Sequence, residues 1–279
     1  MKKASLLSIF ALAIVVSSCY PTFYQVYNVK PEYGIEYDER ALVYEDQNCI
    51  ITYNLWAENG NVGFIFYNKT EKDILLNMEK SFFVKNGIAY PYFKNRTITS
   101  TKSIGAARID GGTMSVSVTG VNYFNLIQAN KLSTSNEMNL SIGSGLSVSF
   151  EEERLINIPS KTSRVIVEHT INNELIRNCN LYRYPTKRKI ESIFFNEETS
   201  PLKFYNRIVY SLENSLEPIL VENHFFVSEI KNYPESEMLD SRYEQFCGEK
   251  SKTATIYTKH YAPYKFYIKY TKTDDTWEH

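Results

Sequence analysis

The sequence has few of the residues that metal and nucleophile chemistry require. Its 279 residues include only four histidines and four cysteines. It contains no HExxH motif and no two histidines at an i, i+4 spacing, so a metalloprotease-type zinc site is not indicated. It also contains no GxSxG motif, which leaves a serine nucleophile elbow without support. We therefore expect no cofactor, no metal site and no catalytic residue that a motif identifies.

The sequence also lacks an excess of charge of one sign. It has 31 Lys and Arg residues against 32 Asp and Glu residues. Without a basic stripe, nucleic acid is not expected as a partner. The lysines are scattered, so no polybasic membrane patch is expected either. The acidic runs at 151–153, 197–198 and 274–275 lack the alternating ligand pattern of a calcium loop and are typical of solvated surface.

The first segment of the chain is typical of a secretory signal peptide. Two lysines precede an apolar run over Leu6–Val16, and small residues follow. This run is about half of the ~20 residues that a membrane-spanning helix needs. Val16–Cys19 (VSSC) resembles the lipobox of bacterial lipoproteins. The resemblance implies cleavage between Ser18 and Cys19 and attachment of fatty acyl chains, such as palmitate, at Cys19. Several acyl chains anchor a protein to a membrane firmly.

Three further cysteines, Cys49, Cys179 and Cys247, follow in the exported part of the chain. Export permits disulfides, but an odd number leaves two arrangements open. One is a disulfide plus one buried thiol, and the other is three buried thiols. The spacing does not determine the pairing.

Alternating apolar and polar residues predict strands over most of the chain. Asn59-Gly60 and Asn86-Gly87 are typical of tight turns between two strands. We therefore predict a mainly β fold of one or two antiparallel β-sandwiches, Ig-like in general architecture. It has one short helix at most, placed at Glu235–Phe246 and ended by Gly248.

The predicted organisation has five parts. They are a signal peptide (1–18), a lipidated N-terminus and tether with an edge strand near residues 41–44 (19–46), a first β-hairpin region (47–98), a Ser/Thr/Gly-rich flexible insertion (99–150) and a second β-rich region (151–279). The insertion has an alternative interpretation, a polar hairpin that reaches toward a partner. The two β regions form either one sandwich or two.

Aromatic residues are abundant, with 22 tyrosines and 16 phenylalanines. Most fit the core of a sheet. The C-terminal tyrosines Tyr261, Tyr264, Tyr267 and Tyr270 are candidates for exposed platforms, which stack on sugars and anchor protein interfaces.

The order of several motifs resembles a group of uncharacterised lipoproteins from Bacteroidetes-type bacteria. The matching motifs are YNLWAENGNVGFIFYNKTEKDI, SFFVKNGIAYPYFKNRT, LINIPSKTSRVI, SPLKFYNRIVYSL and HFFVSEI. This resemblance implies an envelope location and no particular chemistry. The first acidic residue after Cys19 is Glu32, so the signal that favours surface display in such bacteria is missing. Outer-membrane attachment with either a periplasmic or a surface orientation is expected.

These features together predict a lipid-anchored cell-envelope protein. Its expected role is that of a non-enzymatic binding or structural module for a protein partner or a glycan. The alternative is an envelope hydrolase that acts on glycans, whose two catalytic carboxylates would be far apart in sequence.

Overall fold

The protein is built from antiparallel strands, which confirms the predicted mainly β class. The computed structural model describes residues 21–38, 40–103, 145–213, 215 and 217–272. Within these residues there is one helix, α1 (Glu235–Met238). The strands are β1 Thr22–Pro31, β2 Ile35–Asp38, β3 Ala41–Glu45, β4 Cys49–Tyr53, β5 Phe64–Asn68, β6 Ile74–Asn77, β7 Phe82–Lys85, β8 Ile88–Pro91, β9 Thr97–Ser103, β10 Gly145–Glu151, β11 Leu155–Ile158, β12 Ser163–Ile166, β13 Ser192–Phe194, β14 Lys203–Leu212, β15 Ile219–Pro234, β16 Leu239–Phe246, β17 Glu249–Thr258 and β18 Lys265–Thr271.

Two sheets pack on a shared core. The larger sheet has nine strands, six of them in the order β11-β6-β14-β15-β1-β18, and the smaller has the order β12-β5-β4-β3-β2. Tyr53 of the smaller sheet accepts a 2.7 Å hydrogen bond from Asn223 of the larger sheet. Phe66 and Tyr210 meet edge to face across the same interface, with ring centres 5.4 Å apart. One sheet curls into a half-barrel, and the arrangement is consistent with the predicted β-sandwich.

The two predicted β regions contribute strands to both sheets. In the smaller sheet β5 pairs with β12, and in the larger sheet β6 and β7 pair with β14. Strands from both regions therefore share one core, which is consistent with one sandwich.

One of the two Asn-Gly dipeptides forms the predicted tight turn. Asn86 and Gly87 have positive φ angles, 47° and 82°, and directly join the paired strands β7 and β8. Asn59 and Gly60 also have positive φ angles, 64° and 74°, but they lie within a longer connection, residues 54–63, between β4 and β5. Asparagine and glycine tolerate this left-handed conformation better than other residues, so the dipeptide indicated a local turn at both places but a hairpin turn only at Asn86-Gly87.

The predicted tether is not a spacer in this structure. Residues from Thr22 onward form β1, which lies between β15 and β18 in the larger sheet. The polar character of this segment misled the prediction because its amides are satisfied inside the protein. Gln25, which is fully buried, donates hydrogen bonds to Asn232 Oδ1 (2.9 Å) and to the carbonyl of Ile176 (3.0 Å). The predicted strand near residues 41–44 is present as β3.

The predicted helix over Glu235–Phe246 is also wrong beyond its first turn. Only Glu235–Met238 is helical, and residues 239–246 form β16, which pairs with β17. Cys247 and Gly248 have φ angles of 50° and 85° and form the turn between these strands. Gly248 is therefore a hairpin turn residue and not the predicted helix end.

The predicted insertion is described only at its ends. Thr97–Ser103 and Gly145–Glu151 pair as an antiparallel two-stranded sheet. Its flexibility, predicted for 99–150, concerns mainly residues 104–144, which lie outside the described residues. No helix in the described part of the chain has the length and hydropathy needed to cross a membrane.

Candidate functional site

The predicted lipidation site lies just before the described residues. Ser18 and Cys19 precede Pro21, the first described residue. Thr22 begins β1 and is paired with Thr271 at the end of β18. Any lipid on Cys19 would therefore be joined to the larger sheet through two intervening residues, Tyr20 and Pro21.

The three later cysteines are free thiols with different surroundings. Cys49 is buried, whereas Cys179 and Cys247 are exposed. Burial raises the pKa of the Cys49 thiol well above its ordinary value, which makes it unreactive. Neither predicted arrangement is present, because no disulfide joins these three cysteines and only Cys49 is buried.

The described histidines pack against aromatic rings and do not form a metal site. His169 lies 5.1 Å from the ring of Tyr92, and its Nε2 contacts the carbonyl of Pro91 at 3.0 Å. His260 stacks on Tyr233 at 4.2 Å. Burial lowers the pKa of both histidines, which favours the neutral ring. No group of three or more histidine, cysteine or acidic side chains suited to a metal ion occurs in the part of the chain that the structure describes. His279 lies outside that part.

The acidic run at 151–153 contributes to an ion-pair network. Glu152 is 2.6 Å from the Arg96 guanidinium, and Glu168 contacts both Arg96 (2.8 Å) and Lys94 (2.8 Å). Burial alone would raise the pKa of Glu152 and Glu168, but the hydrogen bonds from Arg96 outweigh it and lower both pKa values. Because Arg96 and Glu152 lie beside the first and last residues of the β9–β10 hairpin, this network holds the base of that hairpin.

A second group of charges brings two carboxylates to one histidine. His224 Nε2 lies 3.4 Å from Glu222, and its Nδ1 lies 3.9 Å from Glu32. The imidazole also stacks on Tyr205, with ring centres 4.3 Å apart. The side chain of His224 is 37% exposed, so the group lies on an open sheet face.

Most residues of the β16–β17 hairpin are exposed. Its strands pair only with each other, from Leu239 opposite Thr258 to Phe246 opposite Glu249. Every residue from Ser241 to Phe246 is exposed. Eight residues of strand extend for about 25 Å. A two-stranded hairpin of this kind is only marginally stable by itself.

One face of this hairpin carries apolar side chains. Tyr243 and Ile256 are diagonal neighbours, since Ser241 lies opposite Ile256 in the register. Their exposed fractions are 53% and 39%. Phe246, beside the turn, is 82% exposed and lies on the opposite face, because it is three residues from Tyr243 and side chains alternate along a strand. The Lys250 ammonium lies 4.7 Å from the centre of the Tyr243 ring. Sequence reasoning missed these residues, although the alternating TATIYT segment after Cys247-Gly248 is a hairpin signal.

A tyrosine-lined cleft lies near the C-terminal end of β1. Its volume is about 620 Å³. Tyr37 and Tyr264 meet edge to face at 5.4 Å, and the hydroxyl of Tyr261 accepts a 2.9 Å hydrogen bond from Asn54. The other lining residues are Asn28, Lys30, Asp38, Ala262 and Pro263. Aromatic rings beside amide, carboxylate and ammonium groups can stack on a sugar and bind its hydroxyls.

The four C-terminal tyrosines do not form one exposed platform. Tyr261 and Tyr264 line the cleft, whereas Tyr267 and Tyr270 are buried, with exposed fractions of 5% and 2%. Tyr267 packs against Trp56 at 5.1 Å in a second, smaller core cluster. The alternative interpretation, core packing, is therefore correct for half of them.

Comparisons with protein-family models, with curated proteins and with solved structures find no match to this chain.

Proposed function

We propose that this protein is a lipid-anchored binding module of the bacterial cell envelope, and that its β16–β17 hairpin binds a protein partner. The acyl chains on Cys19 hold it at the outer membrane, on the periplasmic face or the cell surface. The partner contributes an extended segment that pairs with a hairpin edge and covers its apolar face. This mode of binding is β-strand addition, in which backbone hydrogen bonds provide affinity and side-chain pockets provide specificity.

The anchor is supported by the sequence from Lys2 to Cys19. A basic start, a short apolar run and the VSSC tetrapeptide occur in the order that lipoprotein processing requires. The first described strand begins at Thr22, so the anchor would lead directly into the larger sheet.

The observation that carries the proposed binding role is the exposure of the hairpin. Edge strands with unpaired backbone groups and apolar side chains invite pairing with another chain, and proteins usually blunt or cover them. Here no further strand of the described chain pairs with β16 or β17, while Tyr243, Phe246 and Ile256 are exposed. A binding partner accounts for both features.

Site-specific photo-cross-linking of the full chain in its bacterial host tests this role. A photoreactive residue at Phe246 should give one discrete protein adduct. The matched control is Phe194 on β13, which is 72% exposed but lies outside the hairpin. Replacing Tyr243 and Ile256 together by threonine, which keeps strand propensity, should weaken the Phe246 adduct by about tenfold or more. Equal adducts at both positions would contradict the proposal.

The tyrosine cleft supports a second candidate function, glycan binding. The specific observation is the grouping of three tyrosines with Asn28, Lys30 and Asp38 in one cleft. A glycan array with the full chain should give signals that Tyr261→Ala and Tyr264→Ala remove. Release of reducing ends from a bound glycan would instead support the hydrolase alternative.

A further inference from the structure

One loop of the protein is strongly basic although the whole chain is not. Between Glu174 and Glu191 there are five Lys and Arg residues and no acidic residue. We call residues 177–189 the basic loop. Its cations are Arg177, Arg183, Lys187, Arg188 and Lys189, and all but Arg183, which is half-buried, are exposed.

The basic loop is fixed beside the first residues of β1. The ring of Tyr184 lies 5.2 Å from that of Phe23. Tyr270 donates a 2.6 Å hydrogen bond to the carbonyl of Arg183, and Asn232 donates a 2.9 Å hydrogen bond to the carbonyl of Tyr182. These contacts attach the loop to one end of the larger sheet. At this end β1 begins, and β15 and β18 finish.

The residue after β18 adds a further cation at the same end of the sheet. Lys272 is exposed, and its ammonium lies 5.3 Å from the centre of the Tyr184 ring. Lys187 is bound to Glu237 at 3.1 Å, yet its side chain remains 78% exposed. The fold thus adds Lys272 to the cations that the sequence already clusters in residues 177–189.

The position of Cys19 limits how far this end of the sheet can be from a membrane. Cys19 and Thr22 are three residues apart, so even a fully extended chain separates them by about 11 Å. The headgroup layer on each side of a bilayer is about 5–7 Å thick. A lipid on Cys19 would therefore bring this end of the larger sheet against the headgroups.

We propose that the basic loop, together with Lys272, is a membrane-facing surface that binds the headgroups of anionic phospholipids. This inference rests on the lipid anchor of the proposed function. Cations beside an anionic membrane surface are attracted to it, and tyrosine rings favour the interface. The anchor supplies the attachment, and the basic loop sets the orientation, with the far end of β1 pointing away from the bilayer.

Fluorescence quenching by headgroup spin-labelled lipids tests this orientation on the full chain. The protein is produced with its leader, purified with its acyl chains and placed in phosphatidylcholine vesicles with or without phosphatidylglycerol. One fluorophore is attached to Cys179, within the basic loop, in a Cys247→Ser background. The other is attached at Tyr33→Cys in a Cys179→Ser, Cys247→Ser background. Tyr33 is fully exposed and follows β1, whose ten residues extend for about 30 Å.

We expect stronger quenching at Cys179 than at position 33, and a further increase at Cys179 when phosphatidylglycerol is present. The triple variant K187Q/R188Q/K189Q should reduce the Cys179 quenching by at least about twofold. The control K72Q/K80Q/R154Q removes the same number and type of exposed charges elsewhere and should leave it unchanged.

Equal quenching at the two positions in acylated protein, or no response to phosphatidylglycerol, would overturn the membrane-facing surface and leave the anchor intact. Absence of alkyne fatty-acid labelling in the wild type would overturn the anchor and this inference with it. If labelling is present and Cys19→Ala removes it, the anchor stands, and the quenching alone decides the orientation.

Discussion

Strand β1 and the β16–β17 hairpin both contain tyrosine and β-branched residues but have opposite surroundings. β1 has a neighbouring strand on each side, and Tyr24, Tyr27 and Val29 are almost fully buried. Each strand of the hairpin has one neighbour, and its residues are mostly exposed. The hairpin also has six charged residues among eighteen, against one among ten in β1. Burial therefore follows both the charge of a segment and the number of strands that pair with it.

The largest effect that would sharpen this comparison is expected from matched tyrosine substitutions. Tyr27 is fully buried and stacks on Phe266 with ring centres 4.4 Å apart. Tyr27→Ala should lower the free energy of unfolding by about 3–5 kcal/mol. Tyr243→Ala in the hairpin should change it by less than about 0.5 kcal/mol. Urea denaturation of the two variants measures both, and similar losses would mean that the hairpin is part of the core.

An intermediate effect is expected from two turn glycines. Gly60 and Gly248 both have positive φ, 74° and 85°, so alanine is strained at either position by about 1–2 kcal/mol. A Cβ at Gly60 would lie 2.7 Å from Ile171 Cδ1, whereas a Cβ at Gly248 would meet nothing within 4 Å. Gly60→Ala should therefore destabilise the protein by about 1–3 kcal/mol more than Gly248→Ala. Equal denaturation midpoints would contradict the close packing at Gly60.

The smallest effect is expected from pH. The folded-state pKa of His169 is lowered by burial, so the unfolded chain binds more protons as the pH falls below the ordinary histidine pKa of about 6.5. Stability should therefore be highest above this pH and decrease as the pH falls toward the folded-state pKa. His169→Gln should flatten this part of a stability-versus-pH curve. The hairpin, which has no buried histidine, should not contribute to it, and Tyr243→Ala serves as the control.

The sequence predicted the elements that a local signal determines. Prediction failed where contacts with residues distant in the sequence determine the structure. The Asn86-Gly87 turn was predictable because φ > 0 restricts the residues that fit. The burial of Gln25 was not, since its partner Asn232 is far away in sequence. The helix predicted at 235–246 failed because Cys247-Gly248 fits both a helix end and a hairpin turn, and only pairing with β17 distinguishes them.

The candidate sites were less predictable than the fold. Two of the four C-terminal tyrosines, Tyr261 and Tyr264, line the cleft. Tyr37 and Asp38, which line it with them, come from β2, within the segment predicted to be a tether. The basic loop required the fold to bring Lys272 to residues 177–189. Sites of this kind are assembled by sheet topology, which alternation in a sequence does not reveal.

The central claim, that the hairpin is a binding element, is tested most directly by amide hydrogen exchange. The acylated protein is measured in native envelopes and in detergent, and the amides of β1 and β16–β17 are compared. We predict that β1 is protected in both, while the hairpin exchanges rapidly in detergent and slowly in envelopes, where its partner pairs with it. Equally rapid exchange of the hairpin in both environments would contradict the claim.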